Sequence, residues 1–277
     1  MEQNKILEKF FIQSSSINME ERKQKEIEHY DKGAEGWSRD SIREAGSAEG
    51  FSPFLLVSYD FLKKFLRDKY EGKKILDYGC GNGTHLIWLA RIGKEVIGID
   101  LSQKSLELAK KRLREEKLED RAKVLLMDCE KMEFPDSFFD IIFDGGTFSS
   151  LDLNKTLPEL SRVLRPNGFL IGIETLGHNP FTNLKRKWNT LTGRRTQWAA
   201  EHIFKIEDLV LVKKYFNKIE THFFHLISWF AFPFLNLPGG KIILKLLEKV
   251  DHFLLFFFPF LKRYSFKIVF IFSGPKK

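Results

Sequence analysis

Only two cysteines occur in the 277 residues, Cys80 and Cys129. That scarcity argues against a disulfide framework and fits a reducing, cytoplasmic setting. The start, Met1-Glu2-Gln3-Asn4-Lys5, lacks the basic-then-apolar plan of a secretory signal, and Glu8 interrupts the one apolar run nearby. No internal repeat and no low-complexity linker is present. Long uninterrupted apolar runs are missing too. Thr221 to Gly240 carries no charged residue over a bilayer-spanning length, yet Pro233, Asn236, Pro238, Gly239 and Gly240 break it. Phe253 to Leu261 is apolar but too short to span. What remains is a chain long enough for one sizeable α/β domain with an appendage.

The most informative stretch is Lys74-Ile75-Leu76-Asp77-Tyr78-Gly79-Cys80-Gly81-Asn82-Gly83-Thr84. Ile75 and Leu76 read as a buried strand that runs into Asp77 and three glycines at alternate positions. Leu86 to Ala90 then opens a helix. Glycines there let a ligand approach the main chain, and the helix start offers N–H groups to an anion. The loop is one residue tighter than the Gly-x-Gly-x-x-Gly of dinucleotide sites. Further strands are predicted at Glu95–Ile99, ending in Asp100, and at Ala122–Met127, ending in Asp128-Cys129-Glu130. Others are predicted at Phe138–Asp144 and Phe169–Ile173, the last preceded by a turn signal at Pro166-Asn167-Gly168. Helices are expected over Phe54–Tyr70, after Ser102 as cap (stripe Leu106, Ala109, Leu113), and over Leu157–Leu164.

Asp77-x-Gly79-Cys80-Gly81-x-Gly83, Asp100-Leu101-Ser102, Asp128-Cys129 and Ser137-Phe138-Phe139-Asp140 resemble, in order and interval, the motifs of class I S-adenosylmethionine-dependent methyltransferases. The resemblance runs from about Lys74 to Leu176 and more loosely beyond. It implies a Rossmann-like α/β fold: a seven-stranded, mostly parallel sheet closed by a terminal antiparallel hairpin, with S-adenosyl-L-methionine as cofactor. By the same resemblance the Gly79–Gly83 loop, with Cys80, Gly81 and Gly83, lies against the methionine part, and Asp77 sits near its amino group. Asp100 takes the ribose hydroxyls and Leu101 packs on adenine. Asp128 accepts from the adenine amino group and Cys129 adds a backbone contact. Asp144 and the residues after it, Gly145 to Ser149, stand where such enzymes place cofactor and acceptor contacts.

The N-terminal residues Ile6 to Asp40 read as a charged helical region, and 1–70 as a lid region with Tyr30 and Trp37 as lid candidates. The methyltransferase domain is expected over 71–227 and 264–277, with Lys218–His225 and Ser265–Phe272 as its closing antiparallel pair. Residues 228–263 form a hydrophobic, basic helical insertion. From His178 to the end there are 17 Lys and Arg against 6 Asp and Glu, and 16 of the 28 phenylalanines, while the whole chain is only +8. Apolar segments flanked by Lys241, Lys245, Lys249, Lys262 and Arg263 fit peripheral contact with an anionic membrane, on its inner face. A cap over the acceptor pocket or a homodimer face explains the same segments. A basic half this greasy is unlike a phosphate-tracking face, and the Asn-Pro-Pro-Tyr type signature of base methyltransferases is absent, so nucleic acid is not the expected partner.

Candidate bases lie past the fourth and fifth strands: Glu174, His178 in Gly177-His178-Asn179-Pro180, and His202 beside Glu201. Glu174, His178, Glu201 and His202 could also face one divalent ion, but they lack tight ligand spacing, and no metal site is assigned. The reading is O-methylation of a hydrophobic or lipid-carried acceptor, such as a lipid-linked sugar or a quinol. N-methylation of a phospholipid or small molecule is the alternative, and an NAD-dependent oxidoreductase is the alternative of a different class.

Overall fold

A computed structural model describes residues 21–35, 52–93 and 95–277. Helix α1 (Glu21–Glu35) comes first, and a 3-10 turn at Pro53–Leu55 leads into α2 (Val57–Leu66). Alternation follows: β1 (Lys74–Tyr78), α3 (Thr84–Ile92), β2 (Glu95–Asp100), α4 (Gln103–Glu115) and β3 (Ala122–Leu126). Next come β4 (Phe139–Asp144), α5 (Leu153–Val163), β5 (Leu164–Thr175), α6 (Pro180–Leu191), α7 (Gln197–Glu201) and α8 (Leu209–Val212). The chain closes with β6 (Phe216–Phe224), α9 (Gly240–Phe257) and β7 (Lys267–Pro275).

The strands form one seven-stranded sheet in the order β3-β2-β1-β4-β5-β7-β6. β1 to β5 pair in parallel, and β7 runs antiparallel between β5 and β6. The expected architecture is therefore present. Its apolar strands are buried on both faces, as a sheet covered by helices requires. One core gathers Leu62, Leu66, Ile75, Leu86, Leu89, Leu106 and Ala109, and the other gathers Leu76, Tyr78, Ile97, Ile142, Leu157, Leu160 and Phe270. Strand order reverses between β1 and β4, and in open α/β sheets ligands bind outside the strand ends at that switch.

Three expectations shift in detail. The helix read over Phe54–Tyr70 is split, because Pro53 starts a 3-10 turn and the α-helix begins only at Val57. The helix read from Leu157 begins at Leu153, where the Asp152 side chain accepts from Asn154 N–H and caps it; Pro158 lies inside. Pro166-Asn167-Gly168 does not end an element, since β5 runs through it from Leu164. The ladder between β4 and β5 shifts register between Phe139 and Ile141, and a Cβ on Gly168 would stand 2.6 Å from the Asp140 carbonyl. The turn-forming triplet here makes a bulge. Of the helical region Ile6–Asp40, only Glu21–Glu35 lies within the described residues, and Trp37 lies outside them.

Between β6 and β7, a 3-10 segment (Ser228–Phe234), α9 and a second 3-10 segment (Pro259–Tyr264) make up the insertion. Helix α9 departs from an ordinary surface helix in burying two acids while leaving a broad apolar face exposed. Its buried positions are Gly240, Leu244, Glu248, Asp251 and Leu255. Glu248 accepts from Val57 N–H at 3.0 Å, and Asp251 accepts from Ile227 and Ser228 N–H at 2.8 and 3.1 Å. The inward acids thus satisfy backbone donors at two element starts. Ile242, Ile243, Leu246, Val250, Phe253, Phe256 and Phe257 face outward and are exposed. Buried His225 anchors the insertion through Ser58 Oγ at 3.0 Å and Ser228 Oγ at 2.9 Å. Burial holds its pKa down to about 3, so it pins the insertion as a neutral imidazole.

Candidate functional site

At the carboxyl ends of β1 to β4 lies a cavity of about 230 Å³. The glycine loop supplies its floor through Gly79 and Gly81. The end of β2 and the turn after it contribute Asp100, Leu101 and Ser102; the segment after β3 gives Asp128, Cys129 and Glu130; the segment after β4 gives Gly145, Gly146 and Thr147. Gly79, Gly81 and Gly83 all have positive φ. At Gly79 a Cβ would overlap the Thr147 side chain, whereas at Gly81 the space is open, so the main chain is bare to whatever occupies the cavity. Asp100 braces this loop: one oxygen accepts from Gly81 N–H at 2.9 Å and the other from Ser102 N–H at 2.8 Å. Burial raises the Asp100 pKa, opposed by those same N–H groups.

The roof is helix α1. Arg22, Lys23, Glu26, Ile27 and Tyr30, spaced three and four apart on one helix face, all line the cavity. Lys23 Nζ lies 2.7 Å from Asp128 and 3.0 Å from Glu130, and Arg22 bridges both Glu130 oxygens. Farther along, Ser102 donates to Asp31 at 2.5 Å and Tyr30 meets Ser150 Oγ at 3.0 Å. The helix is therefore tied by polar contacts to the rims of β2, β3 and β4. These roof residues, apart from Tyr30, escaped the reading of the sequence. The signal was the i, i+4 series Arg22, Glu26, Tyr30, which reads equally well as a solvated charged helix.

The sequence matches the methyltransferase domain family over residues 76–172. The chain carries a class I S-adenosylmethionine-dependent methyltransferase domain. The chain is 40% identical over 105 residues to methyltransferase GfsG of Streptomyces halstedii, covering 37% of this chain and 38% of that one. It is 32% identical over 162 residues to malonyl-[acyl-carrier protein] O-methyltransferase of Pectobacterium atrosepticum, covering 58% and 61%. The matches thus span less than two thirds of the length of these curated relatives. Among solved structures, geranyl diphosphate C-methyltransferase from Streptomyces coelicolor superposes with a TM-score of 0.58 at 13% identity, over 93% of this chain and all of that one, a likeness of fold.

The residues of this methyltransferase domain fit the cofactor on their own chemistry. Beneath the loop, Asp77 is buried and its Oδ2 has no hydrogen-bond partner among the described residues. Burial, then the nearby Asp100 charge, pushes its pKa up to about 8. A cation held in the cavity above the loop would favour the charged form. Of the expected cofactor residues, Gly79, Gly81, Asp100, Leu101, Asp128 and Cys129 line the cavity. Asp77, Cys80, Gly83 and Asp144 lie outside that lining. Cys80 packs against Gly98, and Gly83 against Ala109. Asp144 is fully buried, its Oδ1 accepting from Thr147 N–H at 3.1 Å, and burial together with Glu174 raises its pKa well above the usual range.

The expected bases are dispersed. Glu174 is buried behind the loop after β4, accepting from Phe148 N–H at 2.7 Å, and burial raises its pKa. His178 pairs with Glu207 at 2.9 Å. His202 is exposed, stacked on Trp198 with centroids 3.6 Å apart and bonded to the Trp198 carbonyl. None of the three lines the cavity, and the four residues weighed for a metal ion form no metal-binding group among the described residues.

Lys23 pairs with the Asp128 carboxylate from the roof, at 2.7 Å. Replacing it in Lys23→Met should lower cofactor-free stability by about 1 kcal/mol and tighten S-adenosylhomocysteine binding by up to about tenfold. Thermal unfolding and calorimetric titration read the two effects.

Proposed function

We propose that this protein is an S-adenosylmethionine-dependent O-methyltransferase acting on a hydrophobic or lipid-carried acceptor, a lipid-linked sugar or a quinol. The observation that carries the reading is the cavity at the sheet's switch point, where Asp100 and Asp128 border a bare glycine loop and Asp77 lies beneath it. In this reading Asp100 holds the ribose hydroxyls, Asp128 the adenine amino group after exchange with Lys23, Leu101 the adenine face, and Asp77 the amino group, through water if need be. The cofactor, when bound, supplies a sulfonium methyl group. The chain supplies position: α1 covers the cavity and excludes water, so the acceptor approaches in line through a desolvated path.

The exposed apolar face of helix α9 supports a lipid acceptor. Phe256 and Phe257 are 70% and 58% exposed, and Lys241, Lys245 and Lys249 flank the same surface. No helix among the described residues is long and apolar enough to cross a membrane. An apolar face with basic flanks suits the interfacial layer of an anionic bilayer. Substituting Phe256→Ser and Phe257→Ser together should change stability by less than about 0.5 kcal/mol. Sedimentation with phosphatidylglycerol vesicles should fall about tenfold. Unchanged sedimentation with loss of a dimer in sizing chromatography would instead make this face a contact between copies.

The acceptor itself is tested by profiling lipids and polysaccharides of cells lacking the gene. A species lighter by the mass of one CH₂ is expected. Methyl loss from a phospholipid amine instead of an oxygen would favour the N-methylation alternative.

A further inference from the structure

One acidic group in the cavity has no assigned task. Glu26, on the inner face of α1, is 8% exposed, and among the described residues neither of its carboxylate oxygens has a hydrogen-bond partner. It lies between two tethered neighbours on the same helix face, Arg22 bound to Glu130 and Tyr30 bound to Ser150. Its backbone is thereby fixed while its carboxylate stays uncommitted. A buried acidic group without donors is an unfavourable arrangement unless a ligand completes it.

The donors available in the reaction can be counted by chemistry. An S-adenosyl cofactor brings an adenine amino group, a ribose diol and an ammonium group. Asp128, Asp100 and Asp77 stand on the sheet side in the positions for these. The remaining donor belongs to the methyl acceptor, and, with Glu130 taken up by Arg22 and Lys23, the remaining carboxylate is Glu26, facing the same cavity from the roof. The expected bases Glu174, His178 and His202 do not line it. We propose that Glu26 is the general base of methyl transfer, receiving the proton of an acceptor hydroxyl; the inference rests on the methyltransferase reading.

The acceptor oxygen forms a bond to the methyl carbon as the carbon–sulfur bond breaks with its electron pair going to sulfur. The hydroxyl proton passes to the Glu26 carboxylate, and from the resulting carboxylic acid to water once the product leaves. Charge balances, since the sulfonium becomes a neutral thioether and the carboxylate becomes neutral. Because the base sits on the roof helix, acceptor deprotonation requires α1 to be docked. Ionisation of the nucleophile is thus confined to the closed, water-excluding site.

The test uses the full chain and Glu26→Gln, which keeps the side chain's size. S-adenosylhomocysteine affinity is measured by calorimetry. Transfer of a tritiated methyl group is measured into a membrane extract from cells lacking the gene. Affinity should stay within about threefold of wild type. The transfer rate should fall about 100-fold or more at saturating acceptor. Glu26→Asp, which keeps the carboxylate at shorter reach, should recover part of the rate. Wild-type transfer by Glu26→Gln would overturn the assignment, as would a tenfold or greater loss of S-adenosylhomocysteine affinity (about 1.4 kcal/mol), which would give the carboxylate to the cofactor. Failure of the underlying reading looks different, because the wild-type protein would then bind no S-adenosylhomocysteine in the same titration.

Discussion

Replacing Asp100 with alanine is expected to weaken S-adenosylhomocysteine binding by about 100-fold or more. Two effects combine. In the proposed role the carboxylate accepts both ribose hydroxyls, a charge-assisted pair that a methyl group cannot reproduce. It also holds the cradle itself, because its oxygens accept from Gly81 and Ser102 N–H. Asp100→Asn separates the two contributions. The amide oxygen can keep one loop contact but presents a donor to the other, so an intermediate loss is expected. Calorimetric titration of the three proteins checks the order, and equal affinity of wild type and Asp100→Ala would count heavily against the scheme.

The second large effect concerns Asp77 and pH. In the cofactor-free protein its pKa stands near 8, against an ordinary value of 3.8, because burial and then Asp100 disfavour the charge. The folded state therefore holds a proton that the unfolded chain releases. This contribution to stability is whole below about pH 4 and is lost as pH rises through about 8. Between pH 5 and pH 8 it amounts to about 4 kcal/mol at the most. Asp77→Asn should remove this slope, giving a cofactor-free protein that is more stable than wild type at pH 8. The same substitution should weaken S-adenosylhomocysteine binding by about tenfold, because a neutral amide attracts the ammonium group poorly. Urea unfolding at several pH values, with and without the ligand, measures both. A wild-type stability that stays level across this range while Asp77→Asn tracks it would contradict the assignment.

Much of the sheet and of the cavity floor could be read from the residues alone, for a physical reason. Strands covered on both faces must be continuously apolar, so Ile75-Leu76, Val96-Ile97 and Ile141-Ile142 declare themselves, and the acids at their ends stand out. The spacing of Gly79, Gly81 and Gly83 carries the loop geometry directly in the chain. The Pro166–Gly168 triplet misled because the same residues that turn a chain also suit a bulge, and only the neighbouring strand decides between them. Helix α9 showed its basic, apolar character but not which side faces inward. Glu248 and Asp251 turn in because backbone donors at Val57, Ile227 and Ser228 await them, and those contacts are remote in sequence. The roof of the cavity was hidden for the same reason. Glu26 is an ordinary charged residue on a charged helix until the docking of α1 buries it. The histidines, by contrast, carry the chemistry of a base, yet His178 and His202 are engaged by Glu207 and Trp198 outside the cavity.

The carboxyl ends of these strands are proposed to hold an S-adenosyl ligand and not a dinucleotide. Isothermal titration of S-adenosylhomocysteine and of NAD into the full chain tests it directly. Saturable binding of S-adenosylhomocysteine and no heat of binding from NAD are expected; the reverse pattern, or binding of neither, would overturn this assignment.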